Sequence, residues 1–421
     1  MNFKIKDITL FFFCLLVYIN PFLSGDIFSV LSFLLLVAYL VIINFKFPNY
    51  PSVGTLSLLL IFGIGFFHGV LNGLNRDFLR DIWIFFKPIY LIYFGSILAA
   101  IYIGSERKVL QIIVIAGLIS AMYHFVEIVS VPKFWKIPLH TIRDVTRRAS
   151  LIEALSLGLL LYALIKKEIY IFKKRYLLVF GSLILISILL FVSRTMFLIL
   201  FIYCGFFFNY FKFSIKATVI ALVVVCLLGF IFSLPKQSQD TSIGRLISKI
   251  QKSPSELLFS DDDANNKQSI NEYWRGYEAF RAISQTIKNG PLAITFGNGF
   301  GSLVDLKIIM RLGNTDFRYV PKIHDGYAQL FFKTGIVSVI LYATFLFFFY
   351  TSAVKVVTND KNLITFKKII LGSLITLLLT TSTISGIYND SSLDSVLLLM
   401  VFCYVLLRNN AKRNFLSQDE F

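Results

Sequence analysis

"YLLVFGSLILISILLFVSRTMFLILFIYCGFFFNYF" (176–211) is interrupted by one charge, Arg194. As one continuous helix it would be about 54 Å long at ~1.5 Å per residue, far longer than a ~30 Å hydrocarbon core. Basic clusters flank both ends, "KKEIYIFKKR" (166–175) and "KFSIK" (212–216). Flanks on the same side of a membrane require the chain to turn back, with Ser193-Arg194 at the far tip. The stretch therefore reads as two membrane helices.

The same reading extends over the chain. Of 421 residues, 57% are hydrophobic, 15% are charged and 45 are phenylalanine. Apolar runs at 8–24, 27–45, 55–72, 82–103, 109–131, 149–165, 176–193, 195–211, 217–234, 328–352, 369–387 and 391–407 predict twelve spans. The first follows Lys4 and Lys6 like a signal peptide, but "INPFLSGD" lacks a small-residue cleavage site and apolar runs continue to the far end. Cys14, Cys204, Cys226 and Cys403 all lie inside apolar runs, so neither disulfides nor a thiolate metal site is expected. The net charge of +17 is assigned to orientation signals and anionic head groups rather than to nucleic acid.

Twelve spans place the basic short loops on one side, which predicts cytoplasmic termini. The organisation expected is an N-terminal membrane bundle (1–234), an extracytoplasmic helical loop (235–327) and a C-terminal membrane bundle (328–421). Within the loop, "SINEYWRGYEAFRAISQTIKNGP" (269–291) reads as a helix, with a Ser269/Glu272 capping box and a stop at Asn289-Gly290-Pro291. A second short amphipathic helix is expected over 242–251. "SDDDANNKQ" (260–268) reads as an acidic loop and "GNGFGS" (297–302) as a glycine-rich turn.

Ionisable side chains near hydrocarbon cost about 2.5–3.5 kcal/mol each, so each is a candidate for function. His68, Lys87, His124, Glu127, Glu153, Arg194, Asp390 and Asp394 all fall in the outer half of the predicted topology. Two outer loops run against the positive-inside trend: "NRDFLRD" (75–81) with Arg76 and Arg80, and "KFWKIPLHTIRDVTRR" (133–148) with Arg143, Arg147 and Arg148. Pairing with Asp77, Asp81, Asp144 and Glu153, or contact with lipid phosphates, would account for any single arginine. The whole set points to an anionic ligand, because guanidinium forks match phosphate oxygens and can hold a pyrophosphate without a metal. No carboxylate cluster has the pattern of a Mg²⁺ site, and no cofactor is expected.

"KIHDGYAQLFFKTG" (322–335) sets His324 just before the tenth span. A neutral imidazole can take a proton from a hydroxyl. A structural histidine at a helix mouth would look the same. Gly326 permits close approach of another backbone, and Tyr327 is suited to stacking on a sugar ring.

The order of these parts resembles the bacterial O-antigen polymerase and O-antigen ligase superfamily. "FVSRTMFLIL" (191–200) is similar to its Ser/Thr-Arg hairpin tip. "EYWRGYEAFRAISQTIKNGPLAITFGNGFGS" (272–302) is similar to its outer-loop pattern of an arginine, a helix and Gly-x-Gly-x-Gly. "HDGYAQLFFKTGIVSVIL" (324–341) is similar to its His-Asn-x-Tyr element, with Asp325 in place of the commoner Asn and Ser338 where a second glycine is usual.

The resemblance implies an all-α integral membrane protein, a GT-C-like glycosyltransferase of the bacterial inner membrane. Its donor would be an undecaprenyl-pyrophosphate-linked oligosaccharide, its surroundings membrane lipids, and a chain-length regulator protein a further partner. By the same resemblance His324 is the base, Arg275, Arg194 and Arg147 or Arg148 neutralise the pyrophosphate, and Arg80 and Lys87 form a basic pair near the fourth span. Arg147 or Arg148 with Glu153 matches the family's Arg…Glu pattern at the sixth span, and Asp325 and Tyr327 flank the base. The ligase, which transfers the glycan to lipid A core, differs in acceptor; the glycine-rich turn and Arg148…Glu153 favour the polymerase. A flippase would place charges near the midplane of repeated halves, and no internal repeat is evident.

Overall fold

A computed structural model describes residues 5–45, 53–71, 73–102, 104–136, 146, 151–191, 193–211, 273–312, 315–383, 386–388 and 393–416, with isolated residues 244, 247, 248, 251, 259 and 270 between them. Helices stand at each predicted span within them: α1 (Ile5–Ile19), α2 (Gly25–Ile42), α3 (Val53–Val70), α4 (Arg76–Ile101), α5 (Glu106–Ser130), α6 (Leu151–Lys166), α7 (Lys174–Phe191) and α8 (Arg194–Phe207). The insertion supplies α9 (Trp274–Lys288), α10 (Pro291–Phe296), β1 (Val304–Leu312) and β2 (Thr315–Val320). The chain then continues through α11 (Gly326–Lys355), α12 (Lys361–Thr383) and α13 (Asp394–Leu416). The predicted span 217–234 lies outside the described residues.

Among the described residues, six helices are long and apolar enough to cross a membrane: α2, α4, α5, α7, α11 and the Lys361–Ser382 part of α12. Such a chain has the make-up of a multi-pass membrane protein. The stretch 176–211 divides as expected. α7 ends at Phe191, α8 begins at Arg194, and both pack against α6. α3 packs on α11, and α4 on α13.

Two expectations are corrected. "NRDFLRD" is the start of α4 rather than a loop, because the Asn75 side chain accepts the Phe78 N–H at 2.8 Å and caps the helix. The insertion is not all helical, for β1 and β2 form an antiparallel hairpin. Val304 and Leu306 face inward and Lys307 outward, a period-two pattern that makes a strand with one buried face. A bulge between Asp305 and Met310 then breaks the register, and Lys307 takes φ +58° there. Arg318 and Lys307 clamp Asp305 at 3.0 and 2.7 Å, and hold its carboxyl well below the usual carboxylate range.

The predicted helix at 269–291 is observed as α9. Ser269 and Glu272 of its expected capping box lie outside the described residues. Asn289 and Gly290 end it, and Pro291 opens α10, where proline's fixed φ suits the first helical position. Ile270, Tyr277, Ala282, Val304, Leu306, Val320 and Ile323 form a small core with Ala328 and Phe332 of α11. The Tyr277 hydroxyl donates to the Leu306 carbonyl, fixing α9 to β1.

The glycine-rich turn is wedged into the bundle. Phe300 is fully buried, with its ring 4.7 Å from Phe85 and 5.7 Å from Phe62. Gly299 has φ +81°, and a Cβ there would stand 2.5 Å from the Gly69 nitrogen. Gly299→Ala is therefore expected to cost about 1–3 kcal/mol. Thermal unfolding in detergent checks this: the midpoint should fall, whereas a similar substitution at exposed Gly73, with nothing within 4 Å, should show strain alone.

Candidate functional site

β2 runs directly into the site. After Val320 the chain passes Pro321 and Lys322, and buries Ile323 in the insertion's core. The Ile323 N–H donates to Gln329 Oε1 at 3.2 Å. The next two residues face different tasks. Asp325 caps α11, accepting the Ala328 N–H at 2.7 Å; burial raises its carboxyl above the ordinary range, against the opposing effect of its backbone hydrogen bonds. His324 is half exposed.

One oxygen of Glu278 holds His324 twice. Glu278 Oε2 accepts the backbone N–H at 3.1 Å and stands 2.6 Å from Nδ1. The Glu278 side chain is 4% exposed and the His324 side chain 51%. A carboxylate accepts, so Nδ1 carries the proton and, in the neutral ring, Nε2 keeps its lone pair. The arrangement orients an imidazole as a proton acceptor and stabilises the imidazolium that forms. Arg275 sits three residues before Glu278 on α9, on the neighbouring face of the helix, and its side chain is exposed. Glu278 and His324 thus meet where α9 reaches the mouth of α11, with Asp325 capping that helix, Tyr327 in its first turn and Arg275 three residues before Glu278. Tyr327 donates its hydroxyl to the Leu378 carbonyl of α12 at 3.0 Å, and its ring lies 6.0 Å from that of Tyr342. That fixes the helix mouth to α12 through the Tyr327 hydroxyl.

The basic pair of α4 is engaged inside the bundle. Lys87 is buried and lies 3.0 Å from Asp394 of α13. This places its ammonium among helices, away from the phosphate-gripping position expected of it. Arg80 lies 2.9 Å from Asp77 and 3.6 Å from Asp81, the simple pairing left open for any single arginine. Asp81 is fully buried, with Lys333 Nζ at 2.5 Å. Its Oδ2 also accepts the Gly301 N–H at 2.8 Å, and Lys333 donates to the Ser302 carbonyl at 2.5 Å. α4, the glycine-rich turn and α11 are thereby tied together by a buried ion pair.

Glu153 belongs to another cluster. It accepts from Ser120 at 2.6 Å and Ser187 at 2.7 Å, and His124 Nδ1 lies 2.8 Å from the Ser187 hydroxyl. These groups join α5, α6 and α7 in the bundle interior. Arg194 opens α8, which packs on α6 and α12. Arg147, Arg148 and Asp390 lie outside the described residues.

Sequence reading missed Glu278 and Lys333. Glu278 is in register with Ala282 and Thr286 at four-residue spacing, on the buried face of α9. That spacing was its available signal. Lys333 lies between Phe332 and Thr334 inside an apolar run, and belongs with the other costly charges of the apolar spans. No family model and no curated protein matches this chain.

Proposed function

We propose that this chain is a membrane glycosyltransferase that polymerises O-antigen or a related surface polysaccharide. It would transfer an undecaprenyl-pyrophosphate-linked glycan to a sugar hydroxyl of a lipid-linked repeat unit at the outer leaflet of the bacterial inner membrane. The observation that carries this reading is the Glu278–His324 pair, a half-exposed imidazole oriented by a buried carboxylate.

The acceptor hydroxyl gives its proton to His324 Nε2. Its oxygen forms a bond to the anomeric carbon of the donor, and the bond from that carbon to the diphosphate breaks. The electron pair leaves with undecaprenyl diphosphate, already a good leaving group, so the step itself requires neither a general acid nor a metal. Arg275, exposed and three residues before Glu278 on α9, is suited to the charge that develops on the diphosphate. Arg194 and Arg147 or Arg148 complete the cationic set by resemblance. Lys87 is left out of it, and Arg80 acts through the Asp81–Lys333 knot.

Arg275→Lys should lower turnover about 10-fold or more, beyond any change in stability, because a point charge loses the two-pronged contact with phosphate oxygens. Elongation assays in membranes, paired with thermal unfolding, separate the two effects. Deleting the gene tests the acceptor. Cells left with single-repeat chains have lost a polymerase, and cells accumulating free lipid-linked polymer have lost a ligase. Orientation is tested by cysteine in place of His324 in a chain otherwise free of cysteine. An impermeant thiol reagent should label it in cells whose outer membrane alone is opened; labelling only after lysis rejects the topology.

A further inference from the structure

The turn 297–301 contains a run of amides that is satisfied entirely within the protein. Gly297 N–H donates to the Ala293 carbonyl at 2.8 Å, Asn298 to Phe332 at 2.9 Å, Gly299 to Lys333 at 2.9 Å, Phe300 to Gly65 at 2.9 Å, and Gly301 to Asp81 at 2.8 Å. Irregular backbone at hydrocarbon depth is tolerated only under such conditions, because no water is there to take the place of a missing partner. The acceptors mark the depth. Gly65 lies five residues before the end of α3, and Lys333 lies seven residues into α11, or about 7 Å and 10 Å along their axes at ~1.5 Å per residue. α11 breaks at Gly335, with φ +74°, and a Cβ there would collide with the Thr295 carbonyl of α10. α10 therefore nests in a notch in the side of the bundle, below the helix mouths.

The outer face of this wedge carries large exposed apolar side chains, with exposed Lys288 beside them on a stem long enough to reach the head groups. Leu292 is 67% exposed and Ile287 56%, and Ile283 shares the α9 face of Ile287 one turn away. The patch continues a surface already apolar. The Phe296 ring of α10 lies 5.6 Å from His68 on α3, whose exposed side carries Phe67 and, just past its end, Leu71.

We propose that α10 and the last turns of α9 are immersed in the leaflet on the insertion's side, with Ile283, Ile287 and Leu292 against acyl chains. The insertion is then partly a re-entrant element of the membrane domain, and His324, at the mouth of α11, stands at head-group level. This rests on the multi-pass make-up of the chain and is independent of the reaction assigned to it.

Nitroxide labels on single cysteines at Leu292 and Ile287 test it, in the full-length chain with its native cysteines replaced and reconstituted in phosphatidylcholine vesicles. Labels at Phe67 and Lys307 serve as the lipid-facing and aqueous references. Both test labels should collide with dissolved oxygen in preference to a water-soluble nickel chelate, with a ratio several-fold above that at Lys307 and near that at Phe67. A ratio at either position equal to that at Lys307 overturns the proposal. So does shielding from both reagents, which would mean that protein rather than lipid covers the patch. Because both side chains are exposed, their replacement leaves the packed core intact. Should the cysteine-free chain fail to fold, tryptophan at Leu292 in the native-cysteine background, read by quenching from acyl-brominated lipid, answers the same question: strong quenching supports immersion and none overturns it.

Discussion

His324→Ala is expected to slow chain growth by about 10²–10⁴-fold, the usual contribution of a positioned proton acceptor. The loss should fall on turnover, with donor binding and thermal unfolding little changed, since the ring is half exposed and its removal opens no cavity. Glu278→Gln should give a smaller fall. Glutamine preserves the size of the side chain and an acceptor for the His324 backbone amide, but it removes the charge beside Nδ1. The two residues act as a unit, so the double variant should be no slower than His324→Ala alone. Independent losses that multiply would show that Glu278 acts on something other than the imidazole. Elongation rates of the four proteins on one lipid-linked donor decide between these outcomes.

The largest effect on stability is expected at Lys333. Lys333→Met leaves the Asp81 carboxylate buried without its ammonium, a loss of about 3–5 kcal/mol for a broken buried pair. Asp81→Asn with Lys333→Met should recover much of that. No buried charge is then stranded, and the asparagine oxygen still accepts the Gly301 N–H. Thermal unfolding in detergent measures the cycle. A double variant as unstable as Lys333→Met would mean that the ammonium matters chiefly through the Ser302 carbonyl.

These two sites mark what the sequence made legible. Apolar runs revealed the long helices of the bundle, since hydrocarbon depth leaves a signal about twenty residues long. The break at Ser193-Arg194 followed from helix length and from the basic clusters at both ends. α9 was visible in its periodicity, and the meeting of α9 with the mouth of α11 followed from the resemblance. Partners distant in sequence were not legible: Lys87 finds Asp394, and Lys333 finds Asp81. Lys333 was hidden because an apolar window averages away one charge. Glu278 went unread, although its spacing with Ala282 and Thr286 puts it on the buried face of α9. The hairpin escaped because the bulge between Asp305 and Met310 interrupts the alternation that identifies a strand. Gly313-Asn314, lying between two strand-like runs, was its remaining cue.

The proposed mechanism requires that this chain, by itself, lengthens a polyprenol-borne saccharide with His324 as proton acceptor. The purified protein in lipid nanodiscs can be incubated with one synthetic undecaprenyl-diphosphate repeat unit and the products resolved by size. The native chain should give a ladder spaced by one repeat, and His324→Ala almost none. A folded native chain that forms no product longer than its donor, or an undiminished ladder from the alanine variant, would refute that mechanism.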